Sequence, residues 1–461
     1  MFQCKNSFVY FISLVSAMGG LLFGYDWVVI GGAMPFYEPF FGISGFPVMQ
    51  GVAMSTALVG CLVGAMVAGV LSDRYGRKPL LKLSALLFTV SALATGYFDS
   101  FTMFNIARFV GGIGIGVASA LSPMYIAEVA PAEIRGRLVS LNQMTIVLGI
   151  LSAQIVNWLL ADPVPVGSSA QDILHSWNGQ TGWRWMFWAE ALPAACFLLL
   201  SLIVPESPRW QAVNGQLLHA QFTLERIGGK EYARTELSKI TLSEDRVARM
   251  RVEGRQSGGL SQFRSVLLLG VFIAVFQQWC GTNVIFNYAQ EIFSAAGYSV
   301  SDVLFNIVIT GVANVLFTFV ALFTVDRLGR RTLMLIGAGG LAVIYLILGS
   351  CYYFHLTGFF MVVLVVCAIG CYAMSLGPVT WVLLSELFPN RVRGRMMSVC
   401  TFALWTGCST LTFSFPSLNA SLGSHGTFCT YAVICLVGWL FLVRRLPETK
   451  GKSLEEMNEN K

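Results

Sequence analysis

The sequence predicts an all-α polytopic membrane protein that crosses a bilayer twelve times. Three observations carry that prediction. The chain of 461 residues is 55% apolar and only 12% charged, about half the charge of a soluble domain. Its apolar residues gather into stretches long enough to cross hydrocarbon, which takes about 20 helical residues. Its 30 lysines and arginines are confined almost entirely to alternate connections between those stretches.

The spans run over about 8–31, 48–71, 80–98, 102–127, 138–160, 184–204, 266–293, 302–325, 332–351, 360–388, 396–417 and 427–443. The first lacks a small-residue cleavage site after its apolar run, so it reads as a retained helix and not a signal peptide. Apart from Arg108 and Arg184, every Lys and Arg falls in 73–82, 135–137, 209–264, 327–331, 391–395 or the termini. The connections 32–47, 161–183, 294–301, 352–359 and 418–426 carry none. Basic loops stay on the cytoplasmic side, so both termini are expected there, in a plasma membrane. The short opposite loops point to a bacterial inner membrane. The net charge of +6 is then a topology signal and gives no support to a nucleic-acid partner. The eleven cysteines lie mostly within spans and form no CxxC pair, so neither a disulfide framework nor a zinc site is indicated. The four histidines are scattered. No nucleophile–base set, metal set or cofactor motif appears, which argues against an enzyme. Gly111-Gly112-Ile113-Gly114-Ile115-Gly116 mimics a dinucleotide fingerprint, but inside a span such small residues serve close helix packing.

The chain repeats itself. Asp73-Arg74-Tyr75-Gly76-Arg77-Lys78 follows the second span and Asp326-Arg327-Leu328-Gly329-Arg330-Arg331 the eighth. Glu128 through Arg135-Gly136-Arg137 follows the fourth, and Glu386 through Arg393-Gly394-Arg395 the tenth. Pro205-Glu206-Ser207-Pro208-Arg209 ends the sixth, and Pro447-Glu448-Thr449-Lys450-Gly451 the twelfth. The offsets are 253, 258 and 242 residues. Two six-span halves in parallel orientation are the consequence: 1–204 and 265–445, joined by a cytoplasmic linker over 205–264 and followed by a tail over 446–461. The linker reads as short amphipathic helices broken at Gly228-Gly229 and Gly258-Gly259. The repeated acids and arginines at helix ends, Asp73, Arg77, Glu128, Arg135, Asp326, Arg330, Glu386 and Arg393, predict an ion-pair latch. Its arginines are expected to pair with carboxylates across the halves and with helix C-terminal carbonyls.

Within the seventh span lies Gln277-Gln278-Trp279-Cys280-Gly281-Thr282-Asn283-Val284-Ile285-Phe286-Asn287-Tyr288. Lipid cannot satisfy amide donors and acceptors, so such a cluster faces a bundle interior or a watery cavity. Amides that both donate and accept, beside aromatic rings, suit a neutral polyhydroxylated ligand. Gln154 is a lone amide in the middle of the fifth span. Asn314 is about 12 residues from either end of the eighth, so about 18 Å deep at 1.5 Å per residue. Three charges sit well inside spans: Asp26, Arg108 and Glu190. Asp26 and Arg108 lie at similar depth, near the outer ends of their helices, and so are placed to pair. Glu190 is expected to pair locally near Arg184 or to cap a helix end.

The loops DRYGRK and DRLGRR, the segments PMYIAEVAPAEIRGRL and WVLLSELFPNRVRGR, and PESPRW with PETKG resemble the sugar porter family of the major facilitator superfamily, over essentially the whole chain. Within it the likeness is greatest to bacterial xylose–proton and glucose–proton symporters. The resemblance implies a major facilitator fold with a monosaccharide held between the halves, and a chain that works as a monomer among membrane lipid. It implies sugar ligands at Gln154, Gln277, Gln278, Asn283 and Asn314, a stacking Trp381 with Gly377 one turn before it, and a cavity-lining Phe23. It also implies that Asp26, in a Gly-Tyr-Asp context, binds the proton and that Arg108 tunes it. Such a carboxylate changes its hold on a proton when its arginine partner leaves. Two departures leave the preferred sugar, pentose or hexose, open. Asn287 stands where many relatives have tyrosine, and Leu404 where xylose and glucose carriers tend to have an amide. A facilitative uniporter is the alternative, with a sugar sensor or polyol carrier behind it.

Overall fold

The computed structural model describes residues 6–165, 167–252, 264–356, 358–388 and 393–448. The first half is built from α1 (Asn6–Phe41), α2 (Pro47–Tyr75), α3 (Arg77–Tyr97), α4 (Phe101–Val129), α5 (Ala132–Leu160), a short α6 (Ala170–His175) and α7 (Trp183–Ile203). The linker forms α8 (Pro208–Val213) and α9 (Leu217–Val252). The second half contains α10 (Arg264–Trp279), α11 (Thr282–Asn287), α12 (Ala289–Ala295), α13 (Val300–Leu328), α14 (Arg330–Tyr353), α15 (Phe359–Met374), α16 (Leu376–Leu387) and α17 (Arg393–Arg445). Among the described residues, eleven helices are long and apolar enough to cross a membrane. The twelfth expected span is the second arm of α17, which breaks at Gly423 with a φ of 66°.

Several spans differ from their expected form. The first runs on to Phe41, ten residues past the expected end, although Pro35 and Pro39 lie inside it. Membrane helices tolerate proline where neighbours re-satisfy the freed carbonyls. Asp26 therefore lies near the middle of α1 and not near its end. The seventh span is broken at Gly281, whose φ of +87° is a conformation that favours glycine. The tenth breaks at Ser375, just before Pro378, which has no N–H to continue the ladder. In the linker, α9 breaks at Gly229, as expected; Gly258 and Gly259 lie outside the described residues.

Small residues set the closest approaches. A Cβ on Gly24 of α1 would overlap the Ile146 carbonyl of α5, and one on Gly149 would overlap the Leu21 carbonyl. The two helices therefore pack backbone to backbone, as small residues permit in lipid. The halves meet where α2 packs on α17 and α5 on α13, with further contacts from α1 to α11 and α12. At the bundle end away from the linker, Gly31 abuts the Asn287 backbone and Gly51 the Phe413 carbonyl.

The repeated loop motifs explain themselves at the linker end. Gly76 and Gly329 take φ values of 98° and 88° and turn the chain between α2 and α3, and between α13 and α14. Glu206 then accepts from the Arg77 and Lys78 N–H groups at 2.9 and 3.2 Å. Glu448 accepts from Arg330 and Arg331 N–H at 3.0 and 3.2 Å. Each glutamate caps the positive N-terminus of a helix in its own half. Burial pushes the Glu206 carboxyl above the usual carboxylate range, and the N–H groups of Ser207, Arg77 and Lys78 oppose that shift.

Candidate functional site

The amides of the seventh span converge around the break at Gly281. Gln277 Nε2 donates to the Tyr372 hydroxyl at 2.6 Å, and Gln278 Nε2 donates to Gln277 Oε1 at 2.5 Å. Asn283 Nδ2, beyond the break, donates back to Gln278 Oε1. All three side chains are buried. The break matters because an unbroken helix would carry Asn283 about 1.4 turns past Gln278, onto a different face. Tyr372 of α15 was not singled out by sequence. Its ring also lies against Gly377, where a Cβ would be 3.3 Å from Tyr372 Cε1. Trp381 on α16 is 38% exposed, the least covered of the expected binding residues, which leaves its ring free to stack.

Gln154 reaches across from α5 to α13. Its Oε1 lies against Gly311, where a Cβ would overlap it, one turn before Asn314 at the midpoint of α13. Both polar atoms of Gln154 are buried without a hydrogen-bond partner. A buried amide in that state costs about 1–3 kcal/mol, which a ligand hydroxyl would recover. Phe23 stacks on Trp27 with ring centroids 5.2 Å apart, and both meet Trp405 of α17, at 5.8 and 6.3 Å. Trp27 and Trp405 join the aromatic wall although the sequence pointed only to Phe23. Spacing of i and i+4 on α1 was the available signal for Trp27. Leu404 is buried beside Trp405 and offers this wall no amide. Asn287 is buried where α11 meets α1, and its Oδ1 has no hydrogen-bond partner.

Asp26 and Arg108 do pair. Arg108 donates one guanidinium N–H to Asp26 Oδ1 and a second to the Asp26 backbone carbonyl at 3.1 Å. Both side chains are almost fully enclosed. The guanidinium also lies 5.5 Å from the centre of the Phe187 ring. Glu190, however, is not where it was expected. Arg184 pairs instead with Asp99 at 2.5 Å and lies over Trp183 and Phe40. Glu190, 1% exposed, sits within electrostatic reach of both Asp26 and Arg108. Asp26 Oδ2 and Glu190 Oε1 are both buried, and the two carboxyl groups lie within hydrogen-bond reach of each other. The enclosure thus holds two carboxyl groups and one guanidinium. A proton on either acid balances the charge, and a dry interior makes that balance matter.

Among the described residues, Arg77 and Arg330 each meet a carboxylate of their own half. Arg77 forms a fork with Glu128, at 3.0 and 2.9 Å, and meets Asp73 at 3.4 Å. Arg330 meets Glu386 at 3.0 Å. For Arg77 this corrects the expected pairing across the halves: α3 and α4 pack side by side, so the nearest carboxylate is its own half's. Arg135 donates to the Ala130 carbonyl at 3.3 Å, the alternative expected of such arginines. The side chains of Asp326 and Arg393 lie outside the described residues.

Two six-helix halves around an amide-rich interior, with a buried ion pair beside it, define a membrane porter of the major facilitator class. The profile of the family described as sugar (and other) transporter matches residues 12–460. The chain is 38% identical over 458 residues to the arabinose-proton symporter of Bacillus subtilis, covering 98% of this chain and 95% of that one. It is 37% identical over 487 residues to the D-xylose-proton symporter of Escherichia coli, covering 99% and 96%. Its fold matches the inward open conformation of the E. coli xylose transporter XylE with a TM-score of 0.84 at 35% identity, over 98% and 99% of the two chains. The chain belongs to the sugar transporter family. It is a multi-pass membrane transporter that carries sugar, and not an enzyme.

Proposed function

We propose that the protein couples the entry of one monosaccharide, a pentose or hexose such as xylose or glucose, to the entry of one proton. The enclosure formed by Asp26, Arg108 and Glu190 carries this reading. A transporter that only equilibrates sugar has no need to hide two acids and one base from water. Asp26 takes the proton. While Asp26 is charged, Arg108 holds it, and helices α1 and α4 are locked together. Protonation weakens that pair and frees α1 to move. The same helix carries Phe23 and Trp27, which wall the sugar site, so proton binding and sugar binding act on one element. Glu190 supplies the second carboxyl that sets the charge of the enclosure, and is assigned as a positioning residue.

The sugar is bound by Gln154, Gln277, Gln278, Asn283 and Asn314, with its ring on Trp381 and Gly377 leaving room for that stacking. The units are the two halves, 1–204 and 265–445, with the linker and both termini in the cytoplasm of a bacterial inner membrane. The arginine–carboxylate clusters at that end hold each half rigid as the halves rock. The protein works as a monomer. The test is sugar-induced proton movement. Xylose, arabinose or glucose added to lightly buffered proteoliposomes should alkalinise the outside, roughly one proton per sugar, for the transported sugar only. Sugar entry without alkalinisation would leave a facilitative uniporter, in which Asp26–Arg108 is a static brace.

A further inference from the structure

We infer a second proton site, in the seal that closes the bundle away from the linker: Glu38 on α1 and Glu291 on α12 form a pair of carboxyl groups that shares one proton when the halves meet. The two acids are repeat equivalents. They stand 253 residues apart, the same offset that separates Asp73 from Asp326, so each is the other's counterpart in a molecule of two parallel halves. Helix α1 packs against α12, which brings these counterparts from opposite halves within electrostatic reach of each other.

Each acid is held by an amide of its own half. Gln50 Nε2 of α2 donates to Glu38 Oε2 at 2.9 Å, and Asn419 Nδ2 of α17 donates to Glu291 Oε2 at 3.1 Å. Both amides sit on helices that make the seal. Gln50 precedes Gly51, where a Cβ would overlap the Phe413 carbonyl on the arm of α17 that carries Asn419.

No cation offsets the pair. The connections at this end contain no Lys or Arg, and neither acid has a Lys or Arg partner among the described residues. Arg108 and Arg184, on helices packed against α1, are engaged by Asp26 and Asp99; the Arg184 guanidinium lies over Phe40. The other titratable groups facing the two acids are the Tyr37 and Tyr288 hydroxyls, which bring no positive charge. Glu38 is 7% exposed, and its Oε1 is buried without a hydrogen-bond partner. Two carboxyl groups in one poorly solvated place, with no cation, hold a proton between them because like charges resist ionising together.

Proton and movement are thereby linked. With both acids ionised, like charges face each other across the seal and push α1 away from α12. With one proton on the pair, the seal closes. That proton comes from the solution on the sealed side and returns there when the seal reopens. It adds nothing to the number of protons carried with each sugar. The inference stands whether Asp26 couples transport or only braces α1.

Hydrogen–deuterium exchange of the full chain in detergent, read by mass spectrometry, tests the pair. Samples run from about pH 5 to about pH 8, a range that brackets a carboxyl raised by a like charge, with labelling times scaled for intrinsic exchange. In the wild type, backbone segments 30–41 and 283–295 should exchange at least about threefold faster at the top of the range than at the bottom, as repulsion opens the seal. In Glu38→Gln, and separately in Glu291→Gln, both segments should stay slow throughout, because a single acid beside an amide has no like charge to face. Asp26→Asn should keep the wild-type response. A wild type with no pH response, or glutamine variants that retain it, overturns the pair. A response lost in Asp26→Asn assigns the proton to the Asp26 enclosure and overturns the inference. Slow exchange restored at the top of the range by sodium or magnesium ions means that a metal cation bridges the acids, and overturns the proton as their ligand.

Discussion

Asp26, Arg108 and Glu190 concentrate the physics of the protein in one enclosure. Removing one partner of a buried ion pair leaves an uncompensated charge, at a cost of about 3–5 kcal/mol. Arg108→Gln should therefore destabilise the protein by that order, and Asp26→Asn in the same chain should restore most of the loss. Thermal unfolding of the single and double variants in detergent checks this; additive losses would mean the two side chains do not depend on each other. The amides proposed to bind sugar make a different prediction. A neutral hydrogen bond contributes about 0.5–1.5 kcal/mol net, so Gln154→Ala or Gln277→Ala should raise the KM for sugar roughly two- to tenfold. Thermal stability should change little for Gln154, whose amide is already unpartnered in the fold. The pairing of Asp26 with Arg108 was legible in the sequence because ionised groups inside a membrane must find each other. The position of Glu190 was not. Its expected partner was chosen by nearness in sequence, and Arg184 instead found Asp99 across the α3–α7 contact.

At the scale of elements, the breaks in the seventh and tenth spans do the positioning. Gly281 turns α10 into α11 and returns Asn283 to Gln278. Gly281→Ala would force a side chain into the left-handed region, roughly 1–2 kcal/mol, and into the Tyr431 ring. Sugar transport should fall well beyond what the stability loss explains, because the amide set is misaligned. An uptake assay normalised to folded protein decides; full activity would show that the break is incidental. The linker-end caps give a further case. Each glutamate of the two PE motifs satisfies backbone donors that open a helix, so Glu206→Ala should lower stability by about 1–2 kcal/mol, with Glu206→Gln losing less. Urea or thermal unfolding would read it, and no change in either variant would deny the caps their role. Sequence alone located these motifs as landmarks of a repeat. It could not show that the acid of one motif caps the helix opened by another, since that requires the fold. The length of α1 was missed for a related reason: 32–47 was read as a connection, yet the helix runs on to Phe41 with Pro35 and Pro39 inside it.

For the whole molecule, two like halves meet along α2–α17 and α5–α13 and are sealed away from the linker by glycines against backbone. Alternating access requires that seal to open. Gly51→Trp, whose side chain cannot fit against the Phe413 carbonyl, should wedge that seal open and abolish uptake while the folded protein still binds sugar. Full uptake in this variant would show that this face need not close. The central claim is that this movement is tied to a proton on Asp26. The most direct measurement is accumulation of labelled xylose and glucose in proteoliposomes with and without an inward proton gradient, for the wild type and Asp26→Asn. The account predicts that the wild type concentrates its sugar above equilibrium only with the gradient, while Asp26→Asn still exchanges sugar but never concentrates it. Gradient-driven accumulation in Asp26→Asn equal to wild type would contradict the account.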